Sequence, residues 1–289
     1  MPVNVLLAAL IAVVIFGASP VAAKIAVSTI PAMDVALLRT VIGGLVALPM
    51  ALMLGIRFPQ SRQQRWLLVI SGFCGFVGFP ILFTLGVLIT SANHGSMILA
   101  ALPVFTGAIA MAWDRVRPAG RWWLGCAIAL GGEVILISSV TTGPGQSSVS
   151  GDLLVLGSNI FASIGYVAGG RLQRSGYSAR GTTFWGVTLF ALLLLPVLPL
   201  VLNVPALQNG GIVPWSGILY LAIGVTIIGY MLWYWALGSG GIARVGLIQF
   251  LQPVSGVILA GLLLAEPVTA IFIAASALIL AGVWLAMQG

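Results

Sequence analysis

Lys24, Arg39, His94 and Glu133 each stand inside or at the margin of a long apolar run. An ionisable group is costly in such a setting and marks a substrate or ion path. For Lys24 and Arg39 three readings are open: pairing with Asp34, snorkelling to an interface, or meeting a substrate carboxylate. Glu133 is the acid placed deepest in an apolar run, where proton coupling is one use for it, although no second acid lies near it in sequence. His94, the single histidine, opens an apolar run and reads as a solvated helix-end residue, with a gate or proton relay as the alternative. Gln249 and Gln252 are spaced i, i+3 and share a helix face. Two amides facing lipid would be expensive, so they turn inward, either to bond neighbouring helices or to contact substrate.

Little else in the chain offers catalytic chemistry. Cys74 and Cys126 both lie in apolar runs and read as small packing residues. One His cannot build a His-rich metal site, and no G-x-x-x-x-G-K-[S/T] precedes the single Lys. No G-x-S-x-G motif and no pair of intramembrane aspartates is present. No cofactor, metal or enzymatic activity is therefore expected; a membrane-embedded enzyme is kept only as the alternative from another class.

The elements that must position these residues are set by composition. With 12 Lys+Arg, 5 Asp+Glu and 60% hydrophobic residues over 289 positions, the chain cannot cover a water-exposed surface. It is expected to be an all-α integral membrane protein whose partners are the lipid bilayer and a small-molecule substrate. Breakpoints at Pro, Gly and charge clusters define ten spans, near 3–25, 33–55, 66–89, 93–113, 121–140, 152–171, 181–202, 214–237, 243–264 and 268–287. Continuous apolar runs exclude an alternating β-barrel pattern. The first run reads as a span rather than a cleaved leader, because no Lys or Arg precedes it. Ten of the 12 cations (Arg57, Arg62, Arg65, Arg115, Arg117, Arg121, Arg171, Arg174, Arg180 and Arg244) fall on one side, which predicts cytoplasmic N- and C-termini. The basic balance is thus a topology signal and requires no nucleic-acid partner. No segment is long enough for a separate soluble domain, which disfavours a receptor or scaffold, and a monomer is expected.

Pro103 and Pro253 lie near the middle of their spans and would disturb the backbone bonds of Leu99 and Gln249. Exposed backbone at that depth belongs in a packed kink or against a cavity. Phe79 and Phe83, one turn apart, fit an apolar wall for a substrate side chain or simple core packing. Tyr230 is deep enough to face a cavity, whereas Trp233, Tyr234 and Trp235 read as an interfacial belt. Asn159 and Tyr166 are isolated polar groups expected to turn inward.

An offset of 150 aligns Ile98 with Ile248, Pro103 with Pro253, Val104 with Val254 and Gly132 with Gly282. That offset divides the chain into a five-helix repeat at 1–140, a periplasmic linker at 141–151 and a second repeat at 152–289, inverted because five is odd. With Gly17–Pro20, Gln252-Pro253-Val254, Leu264-Ala265-Glu266-Pro267, Asp114-Arg115 and Gly151-Asp152, the chain resembles the EamA branch of the drug/metabolite transporter superfamily. More narrowly it resembles the YddG-type amino-acid exporters. The resemblance implies a ten-helix basket in a bacterial inner membrane, with a central cavity formed by helices 1, 3, 4, 6, 8 and 9. It also implies export of aromatic and other neutral amino acids; a proton-coupled drug or metabolite exporter is the alternative. Phe79, Phe83, Leu99, Pro103, Tyr166, Tyr230, Gln249, Gln252 and Pro253 are the expected substrate-contacting residues, with Lys24, Arg39, His94 and Glu133 as charged or gating candidates.

Overall fold

The computed structural model describes residues 2–115, 119–138, 146–240, 245, 247–286 and 288, apart from a few side chains that include those of Asp114 and Glu133. Arg117 and Arg244 also lie outside the described residues. Every regular element among the described residues is helical: α1 Val3–Ala26, α2 Ala32–Met53, α3 Arg62–Ile89, α4 Ala92–Trp113, α5 Gly120–Ser138, α6 Val149–Arg174, α7 Ala179–Leu194, α8 Ile212–Gly240, α9 Leu251–Leu264 and α10 Ala270–Ala286. Six of them (α1, α2, α3, α4, α6 and α8) are long and apolar enough to cross a membrane. The span expected over 181–202 is corrected: α7 stops at Leu194, and short helical turns follow at Leu198–Val201 and Val204–Asn209. Pro196, Pro199 and Pro205 lack the amide hydrogens that a continuing helix would use. α6 starts at Val149, inside the expected linker, because Ser148 caps it by accepting from Gly151 N at 3.1 Å.

Prolines break the long helices, and side chains repair the breaks. Pro20 cannot bond the carbonyl of Phe16, which instead accepts from Ser19 Oγ at 2.7 Å. Pro80 cannot bond that of Phe76, which accepts from Thr40 Oγ1 of α2 at 2.5 Å. In α4 a 3₁₀ turn at Leu99–Ala101 precedes Pro103, and Asn159 Nδ2 of α6 donates to Ile98 O at 2.7 Å. The carbonyl met by a side chain is therefore one residue ahead of the Leu99 carbonyl expected from the sequence. A 3₁₀ turn at Leu247–Phe250 likewise precedes Pro253. Widened π-helical turns occupy Cys74–Gly78 in α3 and Tyr220–Gly229 in α8, directly ahead of Phe79 and Tyr230.

Small residues bring backbones together. A methyl group on Gly17 of α1 would lie 2.6 Å from Gln252 O of α9. One on Gly282 of α10 would lie 2.3 Å from Ala129 N and 2.6 Å from Gly125 O of α5. One on Gly132 would lie 2.9 Å from Ile279 N and 3.0 Å from Ala275 O. Such close backbone contact replaces the hydrophobic drive that lipid cannot supply.

Candidate functional site

Gln64 Nε2 donates to Ser175 O at 3.1 Å and the Tyr177 hydroxyl to Arg57 O at 2.9 Å, so the segments at 54–61 and 175–178 share one end of the bundle; Glu266 accepting from Ala92 N at 2.9 Å places 90–91 and 265–269 together at the other. Three groups of residues follow from this arrangement: a buried aromatic cluster, a polar seal at the second end and a cavity at the first.

The cluster gathers around Tyr230, which α8 presents immediately after its π-helical turn. Its ring lies 5.0 Å from Phe76, 5.4 Å from Phe16, 5.8 Å from Tyr234 and 6.0 Å from Tyr166. Phe79 and Phe83 stack at 5.2 Å within the hydrophobic core. Arg39 of α2 reaches this pair: its guanidinium lies 6.0 Å from the Phe79 ring centroid. Arg39 is 1% exposed, and its Nε and Nη1 atoms have no hydrogen-bond acceptor. Asp34 is not its counterion, because Asp34 Oδ2 accepts instead from Asn203 N at 2.8 Å. The interfacial belt is corrected for Trp233 and Tyr234, each 1% exposed; only Trp235 of that trio is exposed. Tyr234 turns inward because Ser71 supplies a polar partner 3.2 Å from its hydroxyl.

Gln249 and Gln252 are both buried and meet each other, Nε2 to Oε1 at 3.5 Å. They lie across α1 from the cluster, reached where Gly17 abuts Gln252 O. Leu99 and Pro253 are buried and Pro103 is half-buried in the neighbouring helices. Glu133 is a position whose side chain lies outside the described residues, and α5 packs chiefly against α10.

At the second end, polar side chains knit five segments together. Lys24 Nζ of α1 donates to Val87 O, Leu88 O and Thr90 O at 3.0, 3.2 and 2.5 Å, closing over the last carbonyls of α3. Thr90 Oγ1 donates to Asp152 Oδ1 of α6 at 2.5 Å, and Asp152 Oδ2 lies 2.8 Å from His94 Nδ1 of α4. Glu266, between α9 and α10, accepts from Ala92 N and Asn93 N at 2.9 and 2.8 Å, at the N-terminus of α4 where an anion is favoured. The expectation that His94 is solvated is overturned: it is 3% exposed, since Asp152, 58 positions away, is folded against it. Lys24 neither pairs with Asp34 nor snorkels, because three backbone carbonyls hold it. Asp152 and Glu266 entered the sequence reading only as motif residues; both are acids at the ends of apolar runs, the same signal that singled out Lys24.

At the arginine-rich end, a cavity of about 460 Å³ is lined by residues that include Gln173, Arg174, Tyr177, Trp235 and Ser239. Tyr177 closes part of its rim by donating to Arg57 O at 2.9 Å. Burial pushes the Tyr177 phenol up, so it stays a neutral donor through the physiological range.

Comparison with known proteins gives these groups a context. The model of the EamA-like transporter family matches residues 3–138 and again 149–288. A Bacillus subtilis (strain 168) protein named "Uncharacterized transporter YdeK" is 30% identical over 89% of this chain and 88% of its own. A Salmonella typhimurium protein named "Probable amino-acid metabolite efflux pump" is 28% identical over 97% and 94%. A solved crystal structure, 19% identical, superposes with a TM-score of 0.66 over 99% of this chain and 98% of its own, which establishes a shared fold.

Proposed function

The chain belongs to the EamA-like transporter family, and from that premise we infer that it is a secondary exporter of small amphipathic metabolites, aromatic and other neutral amino acids among them. In this reading ten spans form two inverted five-helix repeats that rock around a central site. Contact between α5 and α10 supports the repeat. Gly282 approaches Ala129 N and Gly125 O, and Gly132 approaches Ile279 N and Ala275 O; each contact becomes the other under the offset of 150. The two separate matches of the family model fall on the same halves.

The observation that carries the reading is a difference between the two ends. At one end the buried side chains of Thr90, His94, Asp152 and Glu266, with half-buried Lys24, cross-link five segments, and a cavity of about 390 Å³ lined by Gln208, Trp215 and Ser216 lies beside them; the other end holds the cavity between α6 and α8. Cross-links of this kind between helix ends are what a shut gate requires. Phe79, Phe83, Tyr166 and Tyr230 supply the apolar walls; Gln249 and Gln252 lie beside the Pro253 kink as a polar face. Cytoplasmic termini put the arginine-rich end inside the cell and the sealed end outside. In cells, with Cys74 and Cys126 replaced by Ala, a cysteine at exposed Ser28 should react with an impermeant reagent and one at exposed Ser61 should not. The reverse pattern refutes the orientation.

Reconstituted protein should exchange labelled L-phenylalanine against an internal pool of the same amino acid; absence of exchange across a panel of neutral amino acids rejects the function. One observation favours a second reading, in which a proton is coupled to transport. His94 and Asp152 form a buried titratable pair within the seal, with Lys24 joined through Thr90 and Glu266 on the same helix N-terminus as His94. Transport that requires a pH gradient and loses that requirement in His94→Gln would establish coupling there.

A further inference from the structure

Arg39, 6.0 Å from the Phe79 ring centroid, is the one described cation that is buried with its Nε and Nη1 atoms unmet. A charge so buried is ordinarily paired or fully hydrogen-bonded. The described acids are engaged elsewhere: Asp34 with Asn203 N, Asp152 with Thr90 and His94, Glu266 with Ala92 N and Asn93 N. α2 packs chiefly on α3, α7 and α8, so Asp114 and Glu133 belong to helices it does not lean on. Among the described residues no acceptor meets these two atoms, which leaves them to an acceptor that a bound solute can bring.

Resting on the central-site reading above, we propose that Arg39 is the anchor for the carboxylate of the transported solute, and that the substrate class is apolar or aromatic monocarboxylates in which the α-amino group is dispensable. The planar fork of a guanidinium matches a carboxylate in two parallel hydrogen bonds. One cation balances one negative charge; a phosphate dianion would carry an excess charge into a buried site beside the Phe79 ring. No described carboxylate lies beside Arg39 to receive an ammonium group, so the ring faces alone meet that end of an amino acid. The polar anchor thus moves from the Gln249/Gln252 face to Arg39, while Phe79 and Phe83 keep their role as wall.

The test uses the full chain in proteoliposomes, exchanging labelled L-phenylalanine in competition with 3-phenylpropionate, which lacks the amine, and phenylalanine amide, which lacks the carboxylate. The acid should compete within about tenfold of phenylalanine itself, and the amide should be weaker by about tenfold to a hundredfold, the range for a lost hydrogen bond to a charge. Arg39→Gln should erase the preference for the acid and Arg39→Lys should restore part of it. The wild-type competition stands even if either variant fails to fold. An amide that competes as well as the acid, or an acid that fails to compete, overturns the role of Arg39 and leaves the exporter standing. A wild-type protein that exchanges no phenylalanine and no 3-phenylpropionate overturns both.

Discussion

At the end carrying Thr90 and Asp152, the side chains of Thr90, His94, Asp152 and Glu266 are buried and committed to partners from other segments. At the end carrying Arg57 and Arg174, those arginines are exposed, and a cavity opens between α6 and α8. Both ends are polar caps on an apolar bundle; the first cross-links through buried side chains, the second through exposed or half-buried ones, Gln64 to Ser175 and Tyr177 to Arg57 O. Burial makes the first set of links specific, because each atom that lets go must find another partner or water. On the proposed reading, the end cross-linked by buried side chains is the one that opens and shuts.

That contrast is sharpened by removing links in order of expected effect. Asp152→Ala strips acceptors from both Thr90 and His94 at once, and loss of one partner of a buried pair costs roughly 3–5 kcal/mol. The thermal unfolding midpoint in detergent should fall markedly, and an unchanged midpoint would show that the seal contributes nothing to the shut state. Glu266→Gln keeps the shape but weakens two charge-assisted bonds to Ala92 N and Asn93 N, with an expected loss of about 1–3 kcal/mol in the same measurement. Tyr177→Phe at the opposite end removes one hydrogen bond to Arg57 O and should cost about 1 kcal/mol or less. If Tyr177→Phe destabilises more than Asp152→Ala, the assignment of the shut end is reversed.

The helices were largely legible in the sequence because lipid demands long apolar runs, and Pro and Gly punctuate them. Span seven was overextended because a residue-by-residue tally of apolarity does not weigh three prolines in ten positions. The Phe79/Phe83 stack and the inward turn of Tyr166, Asn159 and Gln249/Gln252 followed from local spacing and the cost of burying polar groups. The seal did not. His94 and Asp152 are far apart in the chain, and nothing local distinguishes a histidine facing water from one facing a carboxylate. Trp233 and Tyr234 were assigned to an interface from depth alone, whereas rotation of α8 beyond its π-helical turn decides which face they occupy. For Arg39 the sequence left three readings open, and only the folded arrangement shows that Asp34 is taken by Asn203.

The central claim is that the seal is one of two states visited during transport. It is tested most directly by the distance between spin labels at exposed Ser28 and Val149, which flank the Lys24–Thr90–Asp152 chain of contacts. In proteoliposomes the account predicts two distance populations, with the longer one gaining on addition of L-phenylalanine and gaining further in Asp152→Asn. A single distance, unchanged by substrate and by that substitution, would contradict it.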